Sequence, residues 1–364
     1  MTQLMPRPVA LREDLAEGPL PPPLPKADPI AELPILILSP HSRCNCRCLM
    51  CDIWRGTTRD EITAGDVARW LPEWRALGVR RVVLTGGEPL MHSDLWAICR
   101  LLRSAGIGTT LLSTGLLLRR DAVRLVEYCD DIVVSLDGPR EVHDRIRNIP
   151  RAYEKLAEGV AAAKQADQNV RVSGRCTVQR ANFRELRATV AAAHELGLDG
   201  ISFLAADVST DAFNRPDGWG PDRVREVALE DHDLPLLAAE LDAMERDCEA
   251  DFASAFIGES PGKLRRRLYQ YYAGLLGRGE FHPIDCNAPW VSTVIETDGT
   301  VRPCFFQPPL GNVYEAESLH AILNSPQALA WRRGLDTHRD EICRRCVCSL
   351  LLRTKPGDSA EREA

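Results

Sequence analysis

The chain of 364 residues contains no apolar run approaching the ~20 residues that a membrane-spanning helix needs. Its first residues, Met1 to Asp14, mix prolines with Arg7, Arg12, Glu13 and Asp14, and lack the apolar core of a signal peptide. It also lacks a dominant charge: 45 Lys and Arg stand against 52 Asp and Glu, a net charge of −7. That balance excludes a protein that grips nucleic acid or an anionic membrane through bulk positive charge. These absences place the protein in the cytoplasm, where its thirteen cysteines are reduced or metal-bound. Their odd number also argues against a closed disulfide framework.

Cysteine is what the sequence has in quantity. Four fall within Cys44-Asn45-Cys46-Arg47-Cys48-Leu49-Met50-Cys51, and three of them have the spacing C-x3-C-x2-C. The apolar run Pro34 to Leu38 precedes them. A loop that leaves a buried strand and gathers thiolates is a metal site in the making, because thiolates are soft ligands. Three thiolates are one short of a closed site, and so leave an iron of a tetranuclear cluster open. The bare spacing also admits a zinc site using His41 and some of the cysteines, or buried unliganded thiols.

Residues 1–33 are proline-rich and read as a flexible or polyproline II lead-in. From 34 to 206 apolar strands alternate with helices. Strands are expected near 35–39, 80–85, 108–113, 131–136, 170–178 and 200–205. Helices are expected near 63–77, 93–105, 118–128, 151–165 and 184–196. Val82 to Leu84 and Ile132 to Val134 suit strands buried on both faces. This alternation implies a parallel sheet with right-handed crossovers. Six units fall short of eight, so the α/β fold is an open, partial (β/α)6 TIM-like barrel with its chemistry at the C-terminal strand ends. Residues 207–283 read as a loop and helical connector, 284–350 as a small C-terminal α+β domain, and 351–364 as a tail. Within the connector, Tyr269-Gln270-Tyr271-Tyr272 suits core packing or a pocket wall. Arg265-Arg266-Arg267 reads as a solvated face, with anion binding as the alternative. Cys99, Cys129, Cys176 and Cys248 stand alone, as small buried hydrophobes do.

Three further stretches carry chemistry. Gly86-Gly87-Glu88-Pro89 follows the second strand, where two glycines let the backbone approach a ligand. Ser135-Leu136-Asp137-Gly138 follows the fourth strand, with His143-Asp144-Arg145-Ile146-Arg147 beyond it. Cys286 and Cys304 bracket a hairpin signalled by Asp298-Gly299, and Cys343, Cys346 and Cys348 close the set. Without further context the last group also reads as a four-cysteine zinc site.

Together these motifs resemble the radical S-adenosylmethionine (radical SAM) superfamily, in the branch with a SPASM or shortened "twitch" auxiliary domain. The resemblance implies a [4Fe–4S] cluster on Cys44, Cys48 and Cys51, with Cys46 left out. Its open iron chelates the amino nitrogen and carboxylate of S-adenosyl-L-methionine. Gly86, Gly87, Glu88 and Pro89 receive the amino group, and Ser135 lies near the ribose. Asp137 accepts from the ribose or orients the loop. Arg175, in the fifth strand, faces the carboxylate or points outward. Thr114 stands where the family has Asn and is given no role. His143 and Arg147 are read equally as a surface helix with local ion pairs. A full SPASM domain has seven cysteines; five here imply one auxiliary [4Fe–4S] cluster on Cys286, Cys304, Cys343 and Cys346. Cys348 is then a spare or an alternative fourth ligand.

The function this implies is reductive cleavage of S-adenosylmethionine and abstraction of a hydrogen atom from a substrate. A small-molecule oxidation, on a sugar or aminocyclitol, is the first expectation. Maturation of a ribosomally synthesised peptide, by crosslinking or epimerisation, is the alternative; a non-catalytic iron–sulfur or zinc protein is the third. Only 33 residues precede the barrel, so a peptide-binding domain such as many maturases carry would be a separate protein. Flavodoxin or ferredoxin is the expected reductant, and neither nucleic acid nor a membrane is an expected partner. Phe305 follows Cys304, where sulfatase-maturing relatives have an aspartate, which argues against formylglycine formation.

Overall fold

Ile35–Leu38 (β1), an all-apolar tetrapeptide, lies at the centre of the architecture. The computed structural model describes residues 22–353; the lead-in before residue 22 and the tail after 353 lie outside the described residues. Five more parallel strands follow: Arg81–Leu84 (β2), Gly108–Ser113 (β3), Asp131–Ser135 (β4), Val172–Val178 (β5) and Ile201–Ala205 (β6). Helices Ala64–Ala76 (α1), Leu95–Ser104 (α2), Leu118–Tyr128 (α3), Arg140–Arg147 (α4), Ala152–Ala166 (α5) and Leu186–Glu195 (α6) form the crossovers. These six strands order sequentially, as a partial barrel requires.

The strands alternate in burial. Leu84, Leu111, Ile132 and Cys176 are sealed beneath the helices, whereas Val83, Leu112, Val133 and Arg175 are only half-buried. The double burial expected for Val82 to Leu84 and Ile132 to Val134 is therefore not found. Their second face lines the hollow of the barrel, where ligands bind.

The C-terminal hairpin does not stand apart from the barrel. Ser292–Ile295 (β7) pairs in parallel with β1, and Thr300–Arg302 (β8) and Gly311–Asn312 (β9) continue antiparallel. The sheet thus has nine strands, in the order β6-β5-β4-β3-β2-β1-β7-β8-β9. An open barrel leaves the edge of β1 unpaired, and β7 covers it. At the other edge, Ile257 bridges Ile201 in parallel: Ile201 N donates to Phe256 O at 2.7 Å and Gly258 N to Ile201 O at 2.8 Å. The tyrosine-rich stretch is core, as Tyr271 and Tyr272 are buried with their hydroxyls on Ala206 O and Val178 O.

Candidate active site and its two cysteine groups

The cysteine loop leaves β1 at the C-terminal end of the barrel and is held on three sides. Glu88 N donates to Arg43 O at 2.8 Å. Arg47 N and Leu49 N donate to Arg147 O and Ile146 O, at 3.1 and 3.0 Å, so the end of α4 runs beside the loop. On the third side Asp52 N donates to Phe213 O, and Trp219 Nε1 to Asp52 Oδ2 at 2.6 Å. The long loop after β6 therefore closes over Cys51.

Gly86 and Gly87 serve this packing. Gly86 has φ +99°, and a Cβ on Gly87 would lie 2.0 Å from Arg43 O. The glycine backbone is pressed against the cysteine loop. Glu88 is fully buried: its carboxylate accepts from Leu90 N, the Ser113 hydroxyl, and both Thr114 N and Thr114 Oγ1 at 2.7 and 2.6 Å. Burial still pushes its carboxyl up. The carboxylate locks the motif to the end of β3, and Thr114, given no role from sequence, supplies two of the donors. Thr114 Oγ1 also lies 2.9 Å from the Asn45 side-chain amide, tying β3 to the cysteine loop.

Arg147 and His143 are not on a surface. Both are buried beside the cysteines. Arg147 Nη1 lies 3.4 Å from Cys48 Sγ, and Nη2 lies 2.6 Å from Asp137 Oδ2. Periodicity did not reveal this because two of the three buried positions of α4, His143 and Arg147, are themselves polar. Asp137 is fully buried and also accepts from Thr177 N at 3.0 Å. Asp137 is thus held between Arg147 and the backbone of β5. Asp137 N donates to His143 Nδ1, and burial pushes the His143 pKa down to about 3, which keeps the ring neutral. Ser135 and Arg175 are register partners on β4 and β5, half-buried on the concave face. Arg175 Nε is 3.3 Å from Ser202 Oγ.

Within the two cysteine groups, each expected ligand receives an N–H. Ile53 N donates to Cys51 Sγ at 3.4 Å, Arg147 to Cys48, and the Cys46 backbone to Cys44. Ala288 N donates to Cys286 at 3.4 Å, Gln307 Nε2 to Cys343 at 3.3 Å and Cys348 N to Cys346 at 3.4 Å. The Phe306 and Gln307 backbones donate to Cys304. Such bonds stabilise cluster sulfurs and tune their iron. The Cys46 thiol hydrogen bond, and behind it the Arg147 charge, pull Cys48 below its ordinary pKa against the effect of burial. Burial pushes Cys44 and Cys51 up to about 12. Arg43 Nε and Asn45 Nδ2 are buried without a hydrogen-bond partner among the described residues, donors that an anionic group in the loop would satisfy. Among the described residues no three His, Cys, Asp or Glu side chains converge as on a single metal ion. The donor set fits iron–sulfur clusters.

The comparisons agree with this geometry. The model of the radical SAM superfamily matches residues 38–193, and that of the SPASM iron–sulfur cluster-binding domain matches 286–347. The chain belongs to the radical SAM superfamily, in its SPASM branch. The matched models are those of a radical S-adenosylmethionine domain and an iron–sulfur cluster-binding domain, which supports S-adenosylmethionine and iron–sulfur clusters as its cofactors. An AdoMet-dependent heme synthase of Methanosarcina barkeri is 30% identical over 162 residues, 42% of this chain and 45% of that protein. This chain thus spans less than half the length of that relative. The PqqA peptide cyclase of Ruegeria pomeroyi is 28% identical over 324 residues, 84% of this chain and 77% of its own. SuiB of Streptococcus suis, solved with its precursor peptide SuiA, shares the fold with a TM-score of 0.57 and 16% identity, over 88% of this chain and 72% of its own.

In this radical SAM protein a cavity of 380 Å³ lies between the hollow of the barrel and the auxiliary cysteines. Val83, Leu112, Val133 and Arg175 line its barrel side, and Cys286, Cys304, Cys343, Cys346 and Cys348 its far side. Three carboxylates reach it. Asp131 is held by Arg81 at 3.0 Å and Asp199 by Lys164 at 2.6 Å. Glu259 is different. Its Oε2 accepts from Phe203 N at 3.1 Å, and its Oε1 lies 4.0 Å from Arg267, with Arg175 and Lys263 near enough to act on its charge. Burial pushes its carboxyl up. Nothing local to its sequence marks Glu259; the bridge between Ile257 and Ile201 puts it there. Among the described residues no helix is long and apolar enough to cross a membrane.

Proposed function

We propose that this protein is a peptide-modifying radical SAM enzyme, which oxidises a residue within a peptide to form a new covalent bond. The observation that carries this is the match to PqqA peptide cyclase, which runs through both the barrel and the auxiliary domain. The heme synthase match, by contrast, covers 42% of the chain. This favours the peptide reading over the sugar or aminocyclitol oxidation expected from sequence.

When bound, the cluster on Cys44, Cys48 and Cys51 and its S-adenosylmethionine supply a carbon-centred radical that removes a hydrogen atom. The chain's own groups hold and protect that chemistry. Ser135 and Arg175 are assigned to the ribose and carboxylate of S-adenosylmethionine, and Gly86 to Pro89 to its amino end. Glu259, whose Oε1 has no hydrogen bond among the described residues, would accept a proton from substrate in the cavity. Cys286, Cys304, Cys343 and Cys346 hold the auxiliary cluster at the cavity's far wall.

The test is co-expression of the full chain with each short open reading frame beside its gene, followed by mass spectrometry. A peptide that loses two hydrogen atoms only when Cys44, Cys48 and Cys51 are intact supports the reading. Unchanged peptides, together with oxidation of a sugar or aminocyclitol by the same enzyme, would overturn it.

A further inference from the structure

The Arg265-Arg266-Arg267 run was expected to be a solvated face, and only part of it is. Arg265 pairs with Asp242. Arg266 is exposed, and half-buried Arg267 turns toward the auxiliary region, where its Nη2 donates to Ser349 Oγ at 3.1 Å. The three arginines open a π-helical turn, Arg265–Gln270, inside the helical run 261–275. Such turns widen a helix and frequently occur at functional sites, because they re-aim side chains that an α-helix would spread.

Arg266 and Arg267 border a groove of 420 Å³. Lys263, Arg266, Arg267, Arg344 and Arg353 line it, with Asp285 as the one acidic residue among the described lining residues. Asp285 is largely exposed and already bound to His338 at 3.0 Å. Arg344 meets Glu280 at 3.1 Å, but Glu280 is 90% exposed, so that pair is weak and easily exchanged. Among the described residues five cations thus line the groove beside one carboxylate, a local reversal in a chain of net charge −7. The groove and the inner cavity share Lys263, Arg267, Ile284, Cys346 and Ser349. A ligand in the groove therefore lies on the path to the auxiliary thiols and the barrel interior. The volume falls within the range of small-ligand and short-peptide pockets, roughly 300–1,000 Å³.

The geometry points to this groove as the docking site for an acidic segment of the peptide substrate, whose Asp or Glu side chains flank the residue that enters the cavity. The assignment rests on the peptide reading above. Clustered cations attract such a segment from a distance and fix its register on arrival.

The test uses the reconstituted full-length enzyme and fluorescently labelled hexaglutamate, with hexaglutamine and hexalysine as controls, read by anisotropy. Hexaglutamate is expected to bind best, to weaken with salt, and to weaken about tenfold in Arg266→Glu/Arg344→Glu. Arg119→Glu/Arg124→Glu, on a distant helix, should not change it. Equal binding of hexaglutamate and hexaglutamine, or full hexaglutamate binding by the Arg266→Glu/Arg344→Glu variant, overturns the proposal. If hexaglutamate fails while the enzyme modifies a neutral peptide, the acidic-segment proposal fails and the peptide reading stands. If hexaglutamate fails while succinate binds in a manner lost in the groove variant, the groove serves a small acid and both readings fall.

Discussion

The Arg147 guanidinium stands 3.4 Å from the Cys48 sulfur and 2.6 Å from the Asp137 carboxylate, buried with both. One side chain thus joins the loop after β4 to the loop after β1. Arg147→Met removes the cation and leaves Asp137 buried and unpaired, which costs about 3–5 kcal/mol. Denaturant unfolding of the iron-free chain should show this loss, and Arg147→Met/Asp137→Asn should recover much of it. In the reconstituted enzyme, losing a positive donor beside a cluster sulfur should lower the reduction potential of that cluster. A redox titration followed by electron paramagnetic resonance reads that shift; an unchanged potential would show that Arg147 acts on the fold alone.

Gly87→Ala puts a Cβ against Arg43 O, where there is no room for it. The overpacking should cost about 1–3 kcal/mol and push the cysteine loop away from the glycine turn. Iron retention after gel filtration should fall together with melting temperature.

Iron content separates the cysteines. The intact enzyme should hold about eight irons per chain, and Ala at Cys44, Cys48 or Cys51 should leave about four. Cys46→Ala and Cys348→Ala should keep about eight. If Cys348→Ala loses iron while Cys343→Ala does not, the auxiliary ligand set is Cys286, Cys304, Cys346 and Cys348.

Glu259 gives a pH dependence of known sign. Burial, opposed by the Phe203 N–H, raises its carboxyl above the ordinary value of 4.5. The folded chain therefore favours the protonated acid. The stability this contributes is present below the ordinary value and is lost as pH rises through the raised one. Glu259→Gln should remove that slope. Melting curves of the iron-free proteins across this window should coincide at the acidic end and separate toward neutrality, with the Gln variant more stable. A constant difference at all pH values would mean that Glu259 does not titrate on unfolding.

Much of the barrel was legible because its signals are local. The six strands and their crossover helices follow from apolar runs and helical periodicity, and the observed bounds of β3 and α3 coincide with those expected. The motif cysteines were legible because ligand spacing along one loop is itself a short-range property. The position of Arg147 was not. Its helix has polar residues on its buried side, so periodicity places it in water; only the buried carboxylate and sulfur opposite make its burial tolerable. Thr114 was passed over because it departs from the usual residue, although its hydroxyl and amide bind Glu88 equally well.

The sequence by itself determined which elements form and which thiols lie within one loop, since both depend on residues a few positions apart. Tertiary structure decided what those elements meet. It set β7 beside β1, making the auxiliary hairpin part of the barrel sheet, because the open edge of β1 needed a partner. It also brought Glu259, Arg267 and Cys304 to one cavity from segments that no local pattern connects. Such convergence depends on long-range packing, and in this protein it is where the barrel hollow, the auxiliary cysteines and the proposed peptide path come together.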